Sequence, residues 1–188
     1  MLPRRPATEE EATALASAVR LRILRLTFHE ALTNKEIAGR LGRDPATTLH
    51  HVRKLVDTGF LQALPVRRGT RGSREKPYRA TGLSWSLDGP EGEDEPAIAQ
   101  AMFEAFLGEV AVAGFRHLDQ SRLALRLPPE ELAEFRQRLF ELLTDFASRP
   151  VRADQPMHGV YVAMHPMSPN SASPARKRDA VRVTMDEV

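Results

Sequence analysis

The chain has 188 residues, 41% of them hydrophobic and 28% charged, which excludes a disordered polyelectrolyte and leaves room for one good core or two small ones. It contains no cysteine, so disulfides and thiolate metal sites are excluded, and the composition fits a reducing cytoplasm. The net charge of +2 joins two unlike halves: residues 1–87 carry 16 basic and 8 acidic side chains, whereas residues 88–188 carry 11 and 17. That asymmetry points to a polyanion-binding part joined to a part with another task.

In chain order, Met1–Pro6 is followed by no apolar core, so it does not read as a secretory signal, and no apolar run reads as a bilayer span. Thr8-Glu9-Glu10-Glu11 is a capping box that starts a helix. Val19, Leu21, Ile23, Leu24, Leu26 and Phe28 continue as a dense apolar helix studded with Arg20, Arg22 and Arg25. A second capping box, Thr33-Asn34-Lys35-Glu36, opens a short helix with Ile37, Ala38 and Leu41 at core spacing, stopped by Gly42. Asp44-Pro45 then supplies an N-cap followed by a proline whose missing N–H costs nothing there, and this helix runs to Thr58 and ends at Gly59. Two helices joined by Leu41-Gly42-Arg43-Asp44 predict a helix-turn-helix. Phe60–Val66 and Lys76–Thr81 read as strands around a basic, Gly-containing loop, which together make a wing.

Asp88–Glu95 is an acidic Gly/Pro-containing linker, and the domain boundary is expected there. Beyond it, Ile98, Met102, Phe106, Val110 and Phe115, with Phe103 and Leu107 beside them, mark one long helix over 95–118. Its Ala97, Ala101, Ala105, Gly108, Ala111 and Gly114 would let another helix approach closely. Leu123, Leu125 and Leu127 alternate like a strand, as do Val160, Val162 and Met164. Between them, Pro129-Glu130-Glu131 opens a helix with Leu132, Phe135, Leu139, Leu142 and Phe146 on one face. The Ser/Pro/Arg-rich stretch 168–188 reads as a mobile tail, in which Val181-Arg182-Val183 has the pattern of a short strand.

On the helix of residues 45–58, Leu49, Val52, Leu55 and Val56 fall on one face. Thr47, His50, His51 and Lys54, at i, i+3, i+4 and i+7, fall on the other, and Thr48 is counted with this polar set. The major groove of duplex DNA admits one α-helix, and short polar side chains near its N-terminus can touch base edges. Arg43, Arg53 and Lys54 suit phosphates. Arg67, Arg68, Arg71, Arg74 and Lys76 of the wing, with Arg79 nearby, suit the backbone or a narrow minor groove. A bland alternative is a winged helix that makes protein contacts.

Four segments carry a family resemblance: Ala18–Leu26, Leu32–Ala38, Thr47–Leu55 and Gly59-Phe60-Leu61. Over about residues 10–85 the chain resembles ArsR-type winged helix regulators of bacteria. The resemblance implies that 45–58 is the recognition helix and that the fold is dimeric, with the Thr8 helix adding to the interface. Leu49 stands where many relatives carry serine, which shifts the expected base contacts to Thr47 and His50. The stretch Leu125–Leu132 more loosely resembles the strand-helix-strand extension of larger members.

Founding members of that family sense metals through cysteines, a mechanism excluded in this chain. His50 and His51 are adjacent, about 100° apart on a helix, and do not chelate one ion together. Met157, His158, Met164, His165 and Met167 suit a soft metal, but a strand with a Met-containing core face is the favoured reading, so no metal or other cofactor is expected. No catalytic set stands out, and the chain is read as a non-enzyme. Trp85, Phe103, Phe106, Phe115, Phe135 and Phe140 are a candidate lining for an apolar effector pocket, with plain core as the commoner alternative. A protein partner on the acidic half, or no effector at all, are the other inputs left open.

The expected architecture is therefore mainly α with small β. It comprises a winged helix-turn-helix over 1–87, a linker over 88–95, a dimerisation or ligand-sensing helical and αβ region over 96–167, and the tail. The expected function is a cytoplasmic, nucleoid-associated transcriptional regulator, with repression favoured, that binds a palindromic duplex operator as a homodimer. The alternatives are a protein-interaction module and a His/Met metal-responsive regulator.

Overall fold

The computed structural model describes residues 5–69, 72–87, 95–150, 152 and 154–167. Arg71, most of the acidic linker and the 168–188 tail, each singled out above, lie outside the described residues. The chain divides into two compact units, Met1–Leu125 and Arg126–Val188.

The first unit begins with α1 (Glu9–Leu15), in which Thr8 accepts from the Glu11 N–H and the Glu11 carboxylate accepts from the Thr8 N–H, closing the expected capping box. Arg5 reaches the same carboxylate with both terminal nitrogens, at 2.8 and 2.6 Å, and its N–H donates to the Ser86 carbonyl. This combination holds Glu11 ionised: the paired guanidinium first, against a cost of burial, then the Thr8 amide, lowers its pKa from 4.5 to about 2. The chain breaks at Ser17 before α2 (Ala18–Thr27). Arg20 turns back across the break, donating to the Ala14 and Thr13 carbonyls at 2.5 and 2.7 Å, where α1 leaves acceptors without a helical partner.

A two-residue strand, β1 (Leu32–Thr33), leads into α3 (Asn34–Leu41), which is opened by the second capping box between Thr33 and Glu36. Gly42 follows at φ 63°, a left-handed position that suits glycine, and the Arg43 N–H returns to the Ala38 carbonyl at 2.9 Å. After α4 (Pro45–Asp57), strands β2 (Leu61–Ala63), β3 (Arg67–Arg68), β4 (Arg74–Glu75) and β5 (Pro77–Ala80) complete the wing. β5 lies between β1 and β2 in an antiparallel sheet, with Leu32 opposite Tyr78 and Leu61 opposite Ala80, and β3 pairs with β4 as the hairpin tip. The core sits where these elements meet: Ile23, Leu32, Ile37, Val52, Leu55, Phe60 and Leu61 are fully buried or nearly so.

α5 (Glu95–Ala113) packs on α2. Its buried positions are Ile98, Ala101, Ala105 and Val110, so two of the small residues lie on the face turned to its own chain, while Ala97, Ala111, Met102, Leu107 and Val112 are exposed. Gly108 lies under Arg22; a Cβ there would come within 3.2 Å of its Nη1. Two expectations change. The helix ends at Ala113 rather than near 118, because Gly114 turns out at φ 88°. And α5, with 19 residues at mean hydropathy 1.2, does have the length and composition to cross a membrane. It nonetheless packs on α2 and sets Glu109 3.8 Å from Arg25.

The second unit holds α6 (Pro129–Ser148). Leu123–Leu127 and Val160–Met164 form no strand among the described residues. Period-two alternation is a sheet signal only when another edge is there to pair with, and neither segment finds one.

Candidate nucleic-acid interface

α3 and α4 are set against each other by short polar links. The Asp44 carboxylate accepts from the Ala46 and Thr47 N–H groups at 2.8 and 3.0 Å, capping α4 at its proline-led first turn. Asn34, at the start of α3, donates from Nδ2 to the Pro45 carbonyl at 2.8 Å, tying the two helix starts together.

Thr48, Val52 and Leu55 form the buried stripe of α4. Thr48 is fully buried and its hydroxyl donates to the Asp44 carbonyl at 2.8 Å, so it belongs to the core side rather than to the polar, DNA-facing set expected of it. Thr47, His50 and Arg53 are exposed along the opposite side, with Lys54 half-buried beside them. His51 is half-buried and its Nδ1 is enclosed without a hydrogen-bond partner among the described residues. Burial, then the positive charges of Arg20, His50 and Arg43, lowers the His51 pKa from the usual 6.5, which disfavours its charged form. Arg43 is exposed in the turn that precedes α4.

The wing tip has two unlike faces, because residues opposite each other on antiparallel strands point the same way. On one face Arg67 lies opposite Glu75 and pairs with it at 3.3 Å, while also reaching Glu36 of α3 at 3.2 Å. Arg67 is thus a strut between wing and helix. On the other face Arg68 lies opposite Arg74, both exposed and neither with a carboxylate partner among the described residues. Like charges placed directly opposite oppose strand pairing, and a polyanion laid across them would reverse that cost. Lys76 and Arg79 are exposed on the same hairpin.

Between α4 and the wing lies a cleft of about 350 Å³ lined by Leu49, Arg53, Val56, Asp57, Lys76 and Tyr78. Tyr78 was not foreseen, since its alternation within β5 reads equally well as core. The aromatic set proposed for a pocket divides between the units: Trp85, Phe103, Phe106 and Phe115 lie in the first, Phe135 and Phe140 in the second, and Trp85, Phe103, Phe115 and Phe140 are exposed. Among the described residues no group of three or more His, Asp or Glu side chains is placed to hold a metal ion.

The architecture is a winged helix-turn-helix within a mainly helical chain with small antiparallel sheets. A family described as "Helix-turn-helix domain" matches residues 15–62, about a quarter of the chain. No curated protein matches the sequence. Among solved structures, the chain is similar to the homodimeric winged helix-turn-helix DNA-binding domain of a possible ArsR-family transcriptional regulator from Mycobacterium bovis (21% identity, 58% of this chain and 82% of that one, TM-score 0.32). It is also similar to a Lactococcus lactis ZitR mutant (21%, 68% and 73%, TM-score 0.31). A third is a Staphylococcus aureus MepR mutant bound to an oligodeoxyribonucleotide (18%, 74% and 79%, TM-score 0.31). The fold assignment rests on the chain's own elements and on the helix-turn-helix match.

Proposed function

We propose that this protein is a DNA-binding transcriptional regulator that works as a homodimer on a two-fold operator, most simply as a repressor that occludes it. Its DNA-binding part is the segment 1–87, with α4 in the major groove and the β3–β4 tip on the backbone or in the adjacent minor groove. Residues 96–167 hold the dimer and receive any small-molecule or protein input. The observation that carries this reading is the Arg68/Arg74 pair, a doubled charge without a carboxylate partner among the described residues, on one face of a hairpin whose other face holds the Arg67–Glu75 ion pair. The same domain exposes Thr47, His50 and Arg53 on α4. Structural stability alone gives no reason for that division of charge. For dimerisation, α5 brings exposed Met102, Leu107 and Val112 on a helix packed directly against α2.

The test is competition binding with a selected operator and with random duplex across a range of salt. Arg74→Ala should weaken binding to both duplexes and reduce the log–log salt slope by about 0.9 for each phosphate the protein ceases to neutralise. His50→Ala should cost about 1–3 kcal/mol on the operator and little on random sequence. Absence of salt-dependent binding to any duplex sinks the proposal, and equal losses for His50→Ala on both duplexes remove that residue from base reading.

A further inference from the structure

We infer that α6 pairs with α6 of a second copy as a short parallel coiled-coil seam; this rests on the homodimer reading above. Leu132, Phe135, Leu139, Leu142 and Phe146 are spaced three, four, three and four residues apart, the a/d repeat that keeps one seam facing a partner helix. None of the 20 residues of α6 is buried, and the seam opens toward its C-terminal end, where Leu142 is 54% and Phe146 58% exposed. A helix with such a stripe is stabilised by what covers the stripe, not by propensity alone.

The flanking charges select the occupant and its direction. In this frame Glu131 is a g position and Arg136 the e position five residues on, the two that meet across a parallel two-stranded seam. Two-fold symmetry makes the contact twice, and neither residue has an ion-pair partner among the described residues. The antiparallel register that would match charges needs Arg138 against Asp145. Those side chains are already engaged along their own helix, Arg138 with Glu134 at 2.5 Å and Asp145 with Arg149 at 2.6 Å. The antiparallel register also leaves Leu132 outside the seam, whereas the parallel one aligns all five layers. Two heptads are fewer than the roughly three to four that mark a free-standing coiled coil, so the seam adds to a dimer that other contacts also hold. Its effect is that both chains enter the seam at the same end, the direction that a two-fold pair bound to one duplex needs.

The absence of native cysteine makes the test clean. In the 188-residue chain, Leu142→Cys should give disulfide-linked dimer on mild oxidation, because parallel in-register seams place identical d positions face to face. Gln137→Cys, on the outer side of α6, should not. Glu131→Arg should raise the dimer Kd by about tenfold by setting two like-charge contacts, and adding Arg136→Glu should restore it. Leu142→Cys that crosslinks no better than Gln137→Cys, or a charge swap that fails to rescue, overturns the seam, including the case in which the stripe is covered by the same chain. Sedimentation of the unaltered protein separates the two failures: a dimer without crosslinking removes only the α6 pairing, whereas a monomer removes the homodimer reading with it.

Discussion

α3 and α4, at 8 and 13 residues, place Ile37, Ala38, Leu41, Thr48, Val52 and Leu55 in a shared core with the sheet, while α6, at 20 residues, buries none of its own. Both regions are amphipathic, and both begin with favourable residues. They differ in what completes them. The winged helix-turn-helix contains its own answer to each apolar face, with β1, β2 and β5 closing over α2 and α4. The apolar face of α6 is half-buried at Leu132, Phe135 and Leu139 and open at Leu142 and Phe146. Amphipathicity therefore tells that a face will be covered, and only the rest of the chain tells by what.

The largest effect expected from this contrast is on stability. Phe60→Ala, at a fully buried site, should lower unfolding free energy by about 3–5 kcal/mol, whereas Phe146→Ala on α6 should cost less than about 1 kcal/mol in dilute protein, where pairing is weak. Chemical denaturation at two protein concentrations checks both values. A large loss for Phe146→Ala at low concentration would erase the contrast.

Next is pH. The folded pKa of Glu11, about 2, lies below its ordinary value of 4.5, so its contribution is fully present above about 4.5 and is lost as pH falls toward 2. Glu11→Gln should cost about 1 kcal/mol at neutral pH, the scale of a lost cap, and should flatten the stability profile across that acid window. An unchanged acid limb would mean that Arg5 and Thr8 do not hold this carboxylate in solution.

The smallest effect belongs to Gly108. Alanine gains up to about 1 kcal/mol over glycine inside a helix, and the group in its way is the flexible end of Arg22, whose Nη1 must move a few tenths of an ångström. Gly108→Ala should therefore leave the thermal midpoint level or slightly raised. A clear drop would mean that α5 and α2 are locked closer than Arg22 can accommodate.

What the sequence made legible is mostly local. Thr8 with Glu11, Thr33 with Glu36, and Asp44 ahead of Pro45 each satisfy amides within three residues, and all three caps form as their spacing implies. Gly42 and Gly59 both adopt positive φ after a helix. Less legible were features that depend on distant partners. The pairing of β1 with β5 joins residues more than forty positions apart, and two residues at Leu32–Thr33 carry no strand pattern of their own. The break at Ser17 is held by Arg20, a side chain that composition alone assigns to solvent or DNA. Thr48 was within reach: it lies four and seven residues before Val52 and Leu55, on the same helical stripe, but its hydroxyl drew it to the polar set.

The Asp44 cap has a consequence for how the protein would hold a duplex. A helix N-terminus is ordinarily a ready seat for a phosphate, since its free amides and dipole both favour an anion. On α4 that seat is already filled, because the Asp44 carboxylate takes the Ala46 and Thr47 N–H groups and the Thr47 hydroxyl lies 3.5 Å from it. An approaching phosphate would meet a negative charge there. Adhesion to the backbone would then fall to the guanidinium and ammonium groups of Arg43, Arg53 and the hairpin, whose phosphate contacts release counterions and so weaken as salt rises. Occupancy of a target would then follow the ionic strength around it, since the capped helix tip leaves the phosphates to these cations.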